Sequence, residues 1–200
     1  MNHEELCERA RKWLGGSRRC EPVFSGIASC AEIPDAIGWS SCYGWSGSTV
    51  VECKCSVADF YADRRKYMAY EEPEYGWRFP AWRITQKEAV ERNYRAIDLP
   101  RMGDYRFFMC EPDVLTEALV AKHCVDHGLI YVLDKRRIKI VIPAPRRTLV
   151  DKDAEIRYLR FAIINNKTPV LLGAEDASRE DIDEAMAADA PQGSGAPGKG

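Results

Sequence analysis

The chain has 200 residues, 46% of them hydrophobic, and a formal net charge of −2. That length suits one domain with appendages, or at most two small ones, and the apolar share excludes a disordered chain. No stretch approaches the ~18 consecutive apolar residues of a membrane span, and the near-neutral charge gives no overall pull toward nucleic acid.

The N-terminal residues 1–10 are acidic and polar, without the basic start and apolar run of a signal peptide. The expectation is a soluble, intracellular, cytoplasmic protein with no membrane partner. Residues 4–14 read as a short amphipathic helix stopped by Gly15 and Gly16. Residues 23–31, rich in small and apolar side chains, predict a strand, and Pro34 punctuates it. A second extended piece follows through Ile33, Ala36, Ile37 and Trp39, and a Gly/Ser-rich turn region covers residues 40–48. The β-branched run at residues 48–55 predicts a strand. Ser56 and Asp59 then have the spacing of a helix N-terminal capping box, with Asp in place of Glu. The helix it opens carries Arg64, Arg65 and Lys66 near its C-terminus, where cations suit the helix dipole. A strand running straight into a capped helix is an α/β pattern.

Residues 67–85 hold Tyr67, Tyr70, Tyr75, Trp77, Phe79 and Trp82 with two prolines and Gly76, and read as an ordered aromatic loop or flap. Such rings either stack on bases of single-stranded or distorted DNA or pack the flap against the body. Beyond it the sequence predicts a helix over 86–96, a strand over 105–110 and a helix over 113–127 closed by Gly128. A hairpin of 129–133 with 138–142 and a helix over 153–164 complete the pattern. From Ala174 onward there are seven acids and two bases, ending in a Gly/Pro-rich stretch. Residues 174–200 are therefore expected to be a disordered acidic tail on a domain of residues 1–173, which is left mildly basic.

Eight cysteines are many for an intracellular chain. No Cys-x-x-Cys pair occurs, Cys53 and Cys55 are spaced by one residue, and His123, Cys124 and His127 lack a second ligand pair. These spacings disfavour structural zinc and favour reduced, mostly buried thiols. No nucleophile elbow, P-loop or dinucleotide fingerprint is present, and the three histidines have no triad-like context.

The chemistry gathers at Asp35 and at Glu52-Cys53-Lys54. Residues two apart on a strand share a face, so Glu52 and Lys54 point together and Cys53 points away. Pairing of the two extended segments brings Asp35 beside Glu52. Two carboxylates, with the Cys53 backbone carbonyl, offer hard oxygen ligands to Mg²⁺ or Mn²⁺. A neighbouring lysine orients water or stabilises a charged phosphorane-like state, which is the equipment of metal-assisted phosphodiester hydrolysis. An exposed strand with alternating charges has the same spacing.

The stretch from Val51 to Lys66, Val-Glu-Cys-Lys-Cys-Ser-Val-Ala-Asp-Phe-Tyr-Ala-Asp-Arg-Arg-Lys, resembles the restriction-endonuclease-like or PD-(D/E)xK superfamily. It is most similar to the DNA-repair-associated MmcB-like group and related phage proteins. The segments from Pro34 to Trp39, Gly103 to Met109 and Gly128 to Val132 extend the likeness over roughly residues 20–165. The resemblance implies an α/β restriction-endonuclease-like core, a central mixed sheet flanked by helices. It also implies a metal-dependent deoxyribonuclease of DNA processing or repair, in a phage or a bacterium, with Asp35 and Glu52 as metal ligands and Lys54 as catalytic lysine. Asp59 and Asp63 belong to the helix signature; as helix residues they read as a cap and a solvated position. Relatives often carry a further upstream Glu, which Glu21 and Glu32 do not match in position. Arg64, Arg65 and Lys66, with a second basic cluster at Arg136, Arg137, Lys139, Arg146 and Arg147, are the candidates for phosphate contact. A non-catalytic nucleic-acid- or protein-binding module on the same fold is the alternative.

Overall fold

Asn2 opens the first element: its side chain accepts from the Glu5 amide and the Glu5 carboxylate bonds back to the Asn2 amide, a reciprocal capping box. Helix α1 (His3–Gly15) follows and buries Leu6, Ala10, Trp13 and Leu14 on one stripe. A computed structural model describes residues 1–165 apart from 28–31, 45, 67, 81–82 and 135, and the side chains of 64–66, 80 and 98.

Strands β1 (Val23–Phe24), β2 (Ala36–Ser40) and β3 (Gly47–Cys53) form an antiparallel meander, with Ala36 opposite Val51 and Ile37 opposite Val50. Helix α2 (Val57–Lys66) leaves β3 immediately, and Ser56 Oγ accepts from the Asp59 amide at 3.1 Å, as its capping sequence predicts. The crossover then builds a small sheet of its own from β4 (Met68–Glu71), β5 (Arg78–Pro80) and β6 (Arg95–Asp98), in the order β5-β4-β6, with α3 (Gln86–Glu91) between β5 and β6. The chain returns as β7 (Tyr105–Cys110), parallel to β3, and continues through α4 (Glu117–His123) to β8 (Gly128–Val132), parallel to β7. Strand β9 (Ile138–Ile142) pairs antiparallel with β8, and α5 (Lys152–Ile164) ends the described chain.

The main sheet runs β1-β2-β3-β7-β8-β9, a mixed sheet with helices on both faces. Alternation along each strand assigns the layers. Val51, Cys53, Phe107, Met109 and Ile130 face α1, packing on Leu6, Ala10, Trp13 and Leu14. The opposite face divides in two. Phe24, Ile37 and Val50 meet Tyr158 and Ala162 of α5, while Phe108, Cys110 and Leu129 meet Phe60 of α2 and Val120 of α4. Strands β3, β7 and β8 all end at one edge of the sheet, where β2 begins and the β8–β9 turn lies.

Several elements differ from the sequence reading. Of the strand predicted over 23–31 only Val23 and Phe24 pair, and 28–31 lie outside the described residues. The aromatic loop contains a hairpin: the Glu72 amide reaches the Trp77 carbonyl at 2.8 Å across a turn that uses Gly76 at φ 68°, and Tyr70 faces Phe79. The helix predicted to Ala96 stops at Glu91 because Asn93 takes φ 57°, and residues 95–98 pair with β4 instead. The helix predicted over 113–127 is confined to Glu117–His123, starting at an N-cap Thr116 whose hydroxyl accepts from Leu119 N. Gly128 is the first residue of β8 and no helix stop; a Cβ there would sit 2.4 Å from Cδ1 of Phe107. The acidic tail, 174–200, lies outside the described residues. The seven described cysteines are free thiols.

Candidate functional site

The antiparallel register that sets Ala36 against Val51 places Asp35, one residue before β2, against Glu52. A backbone-to-side-chain bond locks the approach: the Cys53 amide donates to Asp35 Oδ2 at 2.7 Å. The amide of Cys53, on the same residue as the predicted carbonyl ligand, is thereby committed to orienting Asp35. Lys54 extends the β3–β7 ladder by one bond, its amide donating to the Met109 carbonyl at 2.9 Å. Glu52 and Lys54 share a face, with Lys54 Nζ 3.9 Å from Glu52 Oε2. The three residues singled out from the motif therefore lie at the carboxyl end of β3, but only Glu52 and Lys54 share a face there.

Their surroundings divide them. Glu52 and Lys54 are each only 3% exposed, and charge partners enclose both. Arg106 Nη2 donates to Glu52 Oε1 at 3.0 Å, and its Nη1 pairs with Glu32 and with the Met102 carbonyl. The Glu32 carboxylate also accepts from Met102 N at 2.9 Å. Arg106 Nε donates to His127 Nε2 at 3.3 Å, so His127 carries its proton on Nδ1 and gives it to Asp126 at 2.7 Å. Arg147 holds the other Asp126 oxygen at 2.8 Å, and the His127 ring stacks on Phe108 at 4.7 Å. On the far side Lys54 Nζ lies 3.3 Å from Asp63.

The ionisation states follow from burial and these pairs. Burial pushes the Glu52 carboxyl up, against the opposing fields of Arg106 and Lys54. Burial lowers Lys54, but Glu52 and Asp63 outweigh it and the ammonium is held above its ordinary value. Burial takes His127 down to about 4, which keeps it neutral.

Asp35 faces the opposite way, toward α1. His3 Nε2 lies 3.3 Å from Asp35 Oδ1, and Cys7 Sγ lies 3.5 Å from His3 Nδ1 and 3.9 Å from its Nε2. The Cys7 thiol is held below its usual value, first by a hydrogen bond with the Cys53 thiol.

Of the other predicted residues, Asp59 is half-buried beside its capping serine. Asp63 does not sit on a solvated helix face: it is 4% exposed and paired with Lys54. Arg136 and Arg137 are exposed in the β8–β9 turn, at the same sheet edge as Asp35, and Arg137 pairs with Asp134 at 2.6 Å. The side chains of Arg64, Arg65 and Lys66 lie outside the described set. Sequence reasoning passed over Arg106, and set aside Glu32 as out of position for an upstream acid and His127 as lacking a second ligand pair. An arginine in the middle of the apolar run 105–110 was the available signal, since a fully buried charge needs partners.

The two carboxylates differ as ligands for a metal ion. Asp35 turns Oδ1 toward other donors, so it fits a cation. Glu52 has one oxygen bonded to Arg106 and the other beside Lys54. A single Mg²⁺ or Mn²⁺ shared by Asp35 and Glu52 does not fit side chains so arranged.

Comparison with protein-family models, with curated proteins and with solved structures gives no match for this chain. Among the described residues no helix is long and apolar enough to cross a membrane.

Proposed function

We propose that this chain is a nuclease that hydrolyses phosphodiester bonds of DNA on a restriction-endonuclease-like core. The observation that carries the reading is that Asp35, Glu52 and Lys54 all stand at the carboxyl end of β3, Glu52 and Lys54 on one face and Asp35 turned toward α1, across a β2–β3 pairing closed by the Cys53 amide. The resemblance of residues 51–66 to the PD-(D/E)xK signature supports it, as does the order of elements, an antiparallel meander followed by a helical crossover to a parallel strand. Ligands of open α/β sheets bind outside the carboxyl ends of the strands, and Arg136 and Arg137 stand at that edge, where cations attract phosphate.

In this reading Lys54, kept protonated by Glu52 and Asp63, is a fixed positive charge for a phosphoryl oxygen and no proton acceptor. Mg²⁺ or Mn²⁺ is the cofactor class that the resemblance implies. Because Glu52 is committed to Arg106, no step is assigned to an ion bridging the two carboxylates.

A second reading, a non-catalytic nucleic-acid-binding module on the same core, is favoured by the near-complete burial of Glu52 and Lys54. One experiment separates the two. The purified chain is incubated with single- and double-stranded DNA with Mg²⁺, with Mn²⁺ and with chelator, beside Asp35→Ala and Lys54→Ala variants whose folding is checked by circular dichroism. Cleavage that both substitutions abolish supports the nuclease. Cleavage indifferent to both substitutions overturns it, and DNA binding without cleavage in any condition transfers the assignment to the binding module.

A further inference from the structure

We propose that His3, Cys7 and Asp35 form a binding site for a divalent transition metal of the zinc type. The inference does not rest on the nuclease reading, although it shares Asp35 with it.

The site is assembled from two elements. On α1, His3 and Cys7 are four residues apart and so project from one face. The capping box at Asn2 fixes the first turn, and with it His3. Asp35 arrives from the start of β2, its Oδ2 held by the Cys53 amide at 2.7 Å and its Oδ1 left toward the helix. A ligating carboxylate whose second oxygen is hydrogen-bonded is the usual outer support of a metal ligand.

The spacing suits a tetrahedral ion. One atom from each residue can be chosen so that all lie within 4.8 Å of one another. With metal–ligand bonds of about 2.0–2.3 Å, the edges of a tetrahedral site are roughly 3.4–3.6 Å long. His3 Nε2 to Asp35 Oδ1 is 3.3 Å, and Cys7 Sγ to the same nitrogen is 3.9 Å. Cys7 Sγ is nearer still to His3 Nδ1, at 3.5 Å, so binding an ion at Nε2 requires the His3 or Cys7 side chain to rotate and bring the sulfur round to that side of the ring.

The donor set selects the metal. Thiolate and imidazole are soft and borderline ligands that Mg²⁺ and Ca²⁺ disfavour. One thiolate and one carboxylate neutralise a divalent charge. Three protein ligands leave a fourth position, and the 53% exposure of the His3 side chain opens it to solvent. That is the coordination of zinc sites that keep a water.

Cobalt(II), a spectroscopic probe for such sites, provides the test. The metal-free 200-residue chain is titrated with Co²⁺ and then with Zn²⁺. A thiolate-to-cobalt charge-transfer band should appear with strong tetrahedral d–d bands, and Zn²⁺ should erase both. Cys7→Ser should abolish the charge-transfer band, and His3→Ala and Asp35→Ala should each weaken Co²⁺ binding by at least about tenfold. Cys53→Ser and Cys55→Ser should keep the band. Circular dichroism checks that each variant is folded, and His3, being exposed, is the variant least able to act through folding. Glu52→Gln and Lys54→Ala should keep the band while removing DNA cleavage, so the two proposals fail separately. No band in the wild-type protein, or a band that survives Cys7→Ser, overturns the site.

Discussion

The Arg106 guanidinium of β7 donates to the Glu52 carboxylate of β3 at 3.0 Å, on the sheet face away from α1, with neither side chain more than 4% exposed. This one arginine also holds Glu32 and the neutral His127. Arg106 is thus the centre of a buried ion network that takes in the acid of the motif and ties the meander to the parallel half of the sheet.

Removing Arg106 takes their shared guanidinium from Glu32 and Glu52 in the interior. Arg106→Met is expected to cost about 3–5 kcal/mol, the range for breaking a buried pair from one side. Adding Glu32→Gln and Glu52→Gln should recover much of that loss, because those buried acid charges are gone. Urea denaturation of the single and triple variants measures both.

His127 gives the fold an acid-sensitive joint. Its pKa, about 4 in the folded protein, lies below the ordinary 6.5. Between those values the unfolded chain binds the extra proton, so stability rises with pH through this window and is lost on acidification from 6.5 toward 4. His127→Gln keeps an acceptor for Arg106 without a titrating ring. Unfolding free energies measured at a series of pH values should show a shallower slope in that window for the variant. An unchanged slope would assign the acid sensitivity elsewhere.

The two acids of α2 should separate cleanly. Asp63 is buried on Lys54, whereas Asp59 is half-buried and its amide serves the cap. Asp63→Asn is expected to lower stability by about 1.5–3 kcal/mol, the usual worth of a charged hydrogen bond. Asp59→Asn should stay within about 0.5 kcal/mol of wild type, as expected away from such contacts. Thermal melts of the pair decide it.

Gly128 is required by packing, not by a left-handed turn. An added Cβ would meet Cδ1 and Cε1 of the buried Phe107 at 2.4 Å and the Ile142 carbonyl at 2.7 Å. Gly128→Ala is expected to cost about 1–3 kcal/mol by overpacking, read as a lowered melting temperature.

Local signals were legible where neighbouring residues carry them. The β-branched residues before Glu52, the Ser56 cap on the Asp59 amide, and the 129–142 hairpin each hold their information within a few positions, and each formed there. The mixed sheet flanked by helices followed from their order. Short strands without strong periodicity were not legible. β4, β5 and β6 exist because they pair with one another, and Gly128 reads as a helix stop until Phe107 is known to lie against it.

By itself the sequence determined which residues carry charge and on which strand face they stand: Glu52 and Lys54 together, Cys53 opposite. Only the tertiary structure decided what each charge meets. Arg106 lies 54 residues from Glu52, and Asp35 lies 28 residues from Cys7, separations at which no local pattern encodes a partner. A buried charge takes whichever countercharge the packing brings within reach. That is why Glu52 turned to Arg106 and Asp35 to α1, although the motif had set the two side by side.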